Sequence, residues 1–213
     1  MIWNFFPEWY SGSMLVGLIL AAGESVRMKT AKALLKIGKE TFAACVARKM
    51  RDAGVTYIIL VSGKHHEEIK KETRDVEIVN NAHYAQGQFS SLKEGIRNLP
   101  TGASSVLVWP VDLPLVKMET VRQLIDSQAK NHKRLTIPFH DSQRGHPVIY
   151  DRQVIHTVLS LSSKKHTAKD LISLYESETD LVAVNDPGVL IDIDTPEDYD
   201  KYVSEKSQNS NHK

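Results

Sequence analysis

The chain has 213 residues, 41% of them hydrophobic and 25% charged, and its 27 Lys+Arg against 26 Asp+Glu leave a formal charge of +1. That length lets one domain bury a sizeable core without staples, and the balance is that of a folded globular chain. A charge near zero leaves no broad cationic field to gather nucleic acid or anionic lipid, and the single cysteine, Cys45, excludes an internal disulfide framework or a cysteine-rich metal centre and fits a reducing cytoplasm.

Residues 1–13 hold Trp3, Phe5, Phe6, Trp9 and Tyr10 but no Lys or Arg. A secretory signal needs a positive start, and the apolar run that follows is too short to span a bilayer. Residues 1–13 are therefore read as an aromatic N-terminal extension: either a simple upstream addition, or an arm packed on the domain or on a neighbouring subunit. Residues 14–204 are read as one domain and 205–213 as a polar tail.

Residues 16–22 read as a buried first strand, because parallel strands covered on both faces appear as unbroken apolar runs. Helical spacing over 41–53 ends at Gly54, a residue suited to a helix C-terminus. Strands follow over 57–61 and 76–79, with a polar helix over 67–74 between them. Ser90 is placed to cap a helix that Pro100 stops. Residues 106–111 are a buried strand and 119–129 an amphipathic helix. Further strands are expected over 135–138, 148–150, 181–184 and 189–193, and helices over 167–175 and 196–203. Alternating strands and helices predict an α/β fold: three layers, α/β/α, around a Rossmann-like, mainly parallel sheet, with ligands beyond the carboxyl ends of its strands.

Chemistry concentrates at those ends. Leu20, Ala21, Ala22, Gly23, Glu24, Ser25, Val26, Arg27 and Met28 close the first strand, and Lys32 follows. Small residues let backbone N–H groups approach an anion, and Arg27 and Lys32 supply charge for phosphate oxygens. The spacing is neither a Walker A loop nor a Rossmann glycine fingerprint. The plainer alternative is a strand-to-loop connection with two solvated basic residues. Asp112 follows an apolar strand, where its carboxylate either sits in the ligand crevice, suited to Mg²⁺, or caps the turn that contains Pro114. Asp192 and Asp194 would share one face of a strand over 189–193, costly unless a cation compensates them. Asp194 could instead cap the helix that starts at Thr195-Pro196. Asn81 and Ser91 flank a loop containing Gly87 and offer neutral hydrogen bonds for a ribose or base, or else serve turn chemistry. His146, between Gly145 and Pro147, either orients an acceptor phosphate or shapes the turn.

These motifs together resemble the MobA-like nucleotidyltransferases. The resemblance rests on L-A-A-G-x-S-x-R-M with the later Lys32, on Asn81 to Leu92, on Pro110-Val-Asp-Leu-Pro114, on Gly145-His146-Pro147 and on Asp192 to Asp198, in that order along the chain. It implies a nucleotide-diphospho-sugar transferase-like fold and a Mg²⁺-dependent transfer of a nucleotide from a nucleoside triphosphate to a phosphorylated acceptor. On this reading Leu20 to Gly23, Ser25, Arg27, Lys32, Asn81, Ser91 and Asp112 hold the nucleotide, and Arg27, Lys32 and Asp112 are catalytic. Asp112, Asp192 and Asp194 hold the metal, while Gly145, His146 and Pro147 face the acceptor. The Ala-Ala-Gly form of the loop and the Gly-His-Pro turn resemble the branch that joins CMP from CTP to molybdopterin, which matures cofactor for xanthine dehydrogenase-like enzymes. A partner molybdoenzyme or maturation factor is implied in the same way. A guanylyl-transferring or sugar-phosphate relative shares the loop, and a non-catalytic cofactor carrier is the alternative of another class. One departure is Lys29, which stands where the family usually has glycine after Arg-Met.

Overall fold

A computed structural model describes residues 14–28 and 30–204. The aromatic extension, Lys29 and the polar tail lie outside the described residues. In chain order the elements begin with β1 (Met14–Ala21), then a short hairpin of β2 (Lys36–Ile37) and β3 (Glu40–Thr41), then α1 (Phe42–Asp52). They continue through β4 (Tyr57–Ser62), α2 (His66–Glu72), β5 (Glu77–Asn80), α3 (Gln88–Arg97) and β6 (Ala103–Pro110). Next come α4 (Met118–Asn131), β7 (Leu135–His140), β8 (Gln143–Arg144), β9 (Val148–Asp151) and α5 (Arg152–Ser160). The described chain ends with α6 (Ala168–Leu174), β10 (Thr179–Ala183) and α7 (Pro196–Tyr199), which runs into a π turn over Asp200–Ser204.

The main sheet has the order β10-β7-β9-β6-β1-β4-β5. The pairs β1·β4, β1·β6, β4·β5 and β7·β10 are parallel, whereas β9 runs antiparallel to both β6 and β7. The expected mainly parallel α/β architecture is therefore present. Val16, Leu18 and Ile19 in the central strand are fully buried, as strands covered on both faces require.

One core cluster packs Phe42, Val46 and Met50 of α1 and Val121 and Leu124 of α4 on one face of the sheet. The other packs Phe89, Leu92 and Ile96 of α3 and Val154 and Val158 of α5 on the opposite face. Each such aliphatic or aromatic side chain contributes about 1.5–3 kcal/mol when fully buried. Helix α1 starts where Thr41 Oγ1 accepts from the Ala44 N–H at 3.1 Å.

The topology places the site. The chain leaves β1 toward β4 on one side and later returns to β6 on the other, so β1 and β6 bound a switch point whose crevice opens beyond their carboxyl ends.

Two expectations fail, and one helix is unanticipated. Residues 189–193 are not a strand: a 3₁₀ turn over Pro187–Leu190 leads into irregular chain, so Asp192 and Asp194 share no strand face. Val189 and Ile193 are buried all the same, and Ile193 N–H donates to the Asp112 carbonyl. Ser90 does not cap α3, because Gly87, at φ 92°, is the N-cap and the helix already contains Ser90. Helix α5 has no counterpart among the expected elements, although Asp151 caps it by accepting from the Val154 N–H at 3.0 Å.

Candidate active site

A cleft of about 550 Å³ lies beyond the ends of β1 and β6. Leu20, Ala21, Ala22, Gly23, Ser25, Arg27, Lys32, Ser91, Asp112 and Asp194 all line it. The structure therefore gathers ten of the expected residues into one place. Asn81, Asp192, Gly145, His146 and Pro147 are not on this wall.

Each wall has a local cause. Chain 22–25 leaves the sheet as an open loop in which Ser25 takes φ 52°, a left-handed conformation uncommon for a residue with a side chain. Ser25 Oγ accepts from the Lys32 N–H at 3.2 Å and so ties the two ends of the loop together. On the other wall, the Trp109 indole N–H donates to the Leu113 carbonyl at 3.0 Å, and Val111 N–H extends the ladder to Leu20. Lys49 reaches across from α1 and donates to the carbonyls of Pro114 and Val116, at 2.7 Å each. Asp112 is thus carried on a turn anchored from three sides. Asp194 is held differently: the Asp198 carboxylate accepts from the N–H groups of Asp194 and Thr195, and Thr195 closes a capping box at the start of α7. The cap is therefore Thr195, which leaves the Asp194 side chain free for the cleft.

The charges in the cleft meet one another. Lys32 Nζ lies 2.9 Å from Asp112 Oδ2 and also bonds Asp194 Oδ1, while Arg27 Nη2 lies 2.6 Å from Asp194 Oδ2. Burial opposes the Lys32 charge, but the two carboxylates outweigh it and the pKa rises, so Lys32 stays an ammonium. The Lys32 hydrogen bond, with the charges of Lys32 and Arg27, holds the Asp194 carboxyl below its usual range. Among the described residues no cluster of three or more His, Cys, Asp or Glu is arranged to hold a metal. What the site offers a cation is the pair Asp112 and Asp194, whose oxygens already converge on one ammonium.

A family model for the MobA-like NTP transferase domain matches residues 17–180. The chain belongs to that family. It is 22% identical over 185 residues to the molybdenum cofactor cytidylyltransferase of Escherichia coli K12, covering 85% of this chain and 92% of that protein. It is 32% identical over 123 residues to the bifunctional protein GlmU of Clostridium novyi, covering 56% of this chain; it spans only 27% of that relative's length. A nucleotidyl transferase structure from Methanothermobacter superposes with a TM-score of 0.77 at 21% identity, covering 93% of this chain and 100% of that one, and so shares its fold.

Within this MobA-like chain the residues off the cleft wall have definite places. Asn81 is buried and points inward: its Nδ2 donates to Ser90 Oγ and Ser91 Oγ, and its Oδ1 accepts from the His83 N–H. Its amide is bonded within the loop, and Ser91, one of its partners, lines the cleft. Gly145 has no room for a side chain, since a Cβ there would lie 2.5 Å from the Val189 carbonyl. His146 Nδ1 is buried without a hydrogen-bond partner. Burial, only partly opposed by Asp112, lowers the His146 pKa and keeps the ring neutral. The same ring, together with Leu20, Gln88 and Tyr150, lines a narrow slot beside the cleft.

Sequence reasoning missed Tyr84 and Gln88, which line the cleft from the turn before α3 and from the first residue of α3. Gly87 was the available signal, because its positive φ turns that loop over the end of β1. Val26 was also missed. It is 70% exposed at the tip of the first loop and on the cleft wall, an apolar side chain presented to whatever enters.

Asp192 is reached by solvent, yet the groups packed about it and the charges of Asp112 and Asp194 push its carboxyl from 3.8 up to about 6. Folding therefore takes up a proton at Asp192 between those values, and its unfavourable charge costs stability increasingly as pH rises through that window. Asp192→Asn, without divalent cations, is expected to melt higher than wild type at pH 7.5 by roughly 1 kcal/mol after solvent screening. The gain should vanish below about pH 4, where both states are protonated. Melting curves at four or five pH values check this, and a gain independent of pH would remove the electrostatic account.

Proposed function

We propose that the chain transfers CMP from CTP to the phosphate of a molybdopterin-type acceptor and releases pyrophosphate. The observation that carries the reading is a single cleft at the switch point, in which the cations Arg27 and Lys32 face the carboxylates Asp112 and Asp194. Membership of the MobA-like family and similarity along most of the chain to a molybdenum cofactor cytidylyltransferase support it. The Ala21-Ala22-Gly23 form of the loop favours the cytidylyl branch by resemblance. Such an enzyme would act in the cytoplasm and hand its product to a xanthine dehydrogenase-like molybdoenzyme or its maturation factor.

In the proposed reaction an oxygen of the acceptor phosphate attacks the α-phosphorus, the bond to the β-phosphate oxygen breaks, and pyrophosphate leaves. Such transfers need positioning and charge stabilisation more than a protein nucleophile. Backbone N–H groups of residues 22–25 and the Ser25 hydroxyl bind and orient the triphosphate, and Arg27 and Lys32 neutralise it. The attacking group is already anionic, so no general base is required. Asp112 and Asp194 would hold Mg²⁺; a hard ion of this kind takes one or two carboxylates plus phosphate oxygens and water. Its bound charge would offset that building up on the leaving pyrophosphate. His146, neutral and with an unpartnered ring nitrogen, would orient the acceptor from beside Gly145 and Pro147.

Pyrophosphate release checks the reading directly. Purified protein and Mg²⁺ are given CTP, GTP, ATP or UTP in turn, with and without molybdenum cofactor. Release is expected with CTP only when the cofactor is present. A preference for GTP would move the chain to the guanylyl branch. Release only with a sugar phosphate would replace the acceptor, and nucleotide binding without any release would favour a carrier.

A further inference from the structure

We propose that Lys32 is a built-in stand-in for the divalent cation: in the nucleotide-free protein its ammonium holds the place between Asp112 and Asp194, so that a metal ion enters efficiently only with a triphosphate that draws Lys32 away. This rests on the assignment of Asp112 and Asp194 as the metal carboxylates.

The geometry supplies the reason. Lys32 Nζ touches one oxygen of each carboxylate, and Arg27 takes the remaining oxygen of Asp194. The Lys32 side chain is only 15% exposed, so this is a packed cation and not a solvated one. A dication arriving alone must either part the ammonium from both carboxylates with no anion to replace them or sit against it, and like charges at such distances repel strongly in a partly dry site. A triphosphate changes the balance. The Lys32 backbone is fixed by the Ser25 hydroxyl and a 3₁₀ turn over Lys32–Leu34, but its four-carbon stem lets a compact ammonium swing toward the 22–25 loop. Phosphate oxygens there replace the carboxylates as its partners, as they do for Arg27. Both carboxylates are then released to the metal in the same event. Nucleotide and metal must accordingly raise each other's affinity by an equal factor.

The test is Mn²⁺ binding to the nucleotide-free full chain, followed by electron paramagnetic resonance. Lys32→Met should bind Mn²⁺ about ten-fold more tightly than wild type, on the order expected for removing one ammonium that competes for both carboxylates. Its affinity for CTP should fall, so that one substitution moves the two ligands in opposite directions. Lys32→Arg keeps a cation in place and should leave Mn²⁺ binding weak; it also guards against a fold defect in Lys32→Met, which thermal melting would reveal. Equal Mn²⁺ affinity in wild type and Lys32→Met, with Asp112→Asn weakening both, would overturn the stand-in role while leaving the metal assignment intact. Tight Mn²⁺ binding that survives Asp112→Asn in the Lys32→Met background would instead remove the metal assignment, and the proposal with it.

Discussion

Asp112→Ala is expected to lower pyrophosphate release by about 10²–10³-fold or more, the usual loss when one preorganised electrostatic contact to a transition state is removed. The fold should survive the change. Asp112 supports its neighbours through the main chain, where its carbonyl accepts from the Ile193 N–H at 2.8 Å, and alanine keeps that bond. The turn is also fastened by Trp109 and by Lys49. What disappears is one of the two carboxylates on the Lys32 ammonium, which keeps Asp194 as a partner, so no buried charge is left unpaired. Melting should therefore change little while the rate collapses. A variant retaining near-wild-type release would move catalysis away from this carboxylate, and with it the reading of the cleft.

The parts of this site that were legible in the chain are those set by local position. A carboxylate following an apolar run must emerge at a strand end, so Asp112 could be placed before any contact was known. The same reasoning placed Gly23, Ser25 and Arg27 beyond β1. The pairings were not legible, because Lys32 lies 80 residues from Asp112 and 162 from Asp194, and nothing in the spacing sets their distance. Asn81 shows the complementary limit. Its type suits a ribose and a loop clasp equally well, and the clasp is visible only once the positions of Ser90 and Ser91 are known.

The fold was read best where hydrogen-bond partners follow from burial. Strand β1 begins two residues before its expected start and ends one residue early. The apolar run 189–193 misled because hydrophobicity reports burial, not which backbone will pair. Its Val189 carbonyl accepts from the His146 N–H and its Ile193 N–H donates to Asp112, so two different loops take the partners that a sheet neighbour would have taken. Helix α5 escaped because Arg152–Ser160 mixes β-branched Val154, Ile155, Thr157 and Val158 into a short span.

Gly145→Ala is the second large effect expected, and it falls on stability first. The new Cβ would lie 2.5 Å from the Val189 carbonyl oxygen and 2.8 Å from the Val189 Cβ. Neither side can retreat cheaply. Gly145 N–H is bound to the Pro138 carbonyl at 2.9 Å, and the Val189 oxygen is bound by the next residue, His146, at 3.0 Å. Val189 itself is buried, and its neighbour Gly188 is pressed against the Leu115 carbonyl, where an added Cβ would come within 2.6 Å. Overpacking against backbone of this kind costs about 1–3 kcal/mol, or roughly 2–12 °C in Tm for a chain of this size. Activity should fall as well, because a displaced Val189 moves the segment that leads through Ile193 to Asp194. Gly23→Ala is the comparison that separates the two roles. Its Cβ meets nothing within 4 Å among the described residues, so the protein should melt close to wild type and lose only nucleotide affinity as the cleft narrows. If Gly145→Ala instead melts with the wild type, the close approach of Gly145 to Val189 is not what ties the Gly145-His146-Pro147 turn to the carboxylate loop.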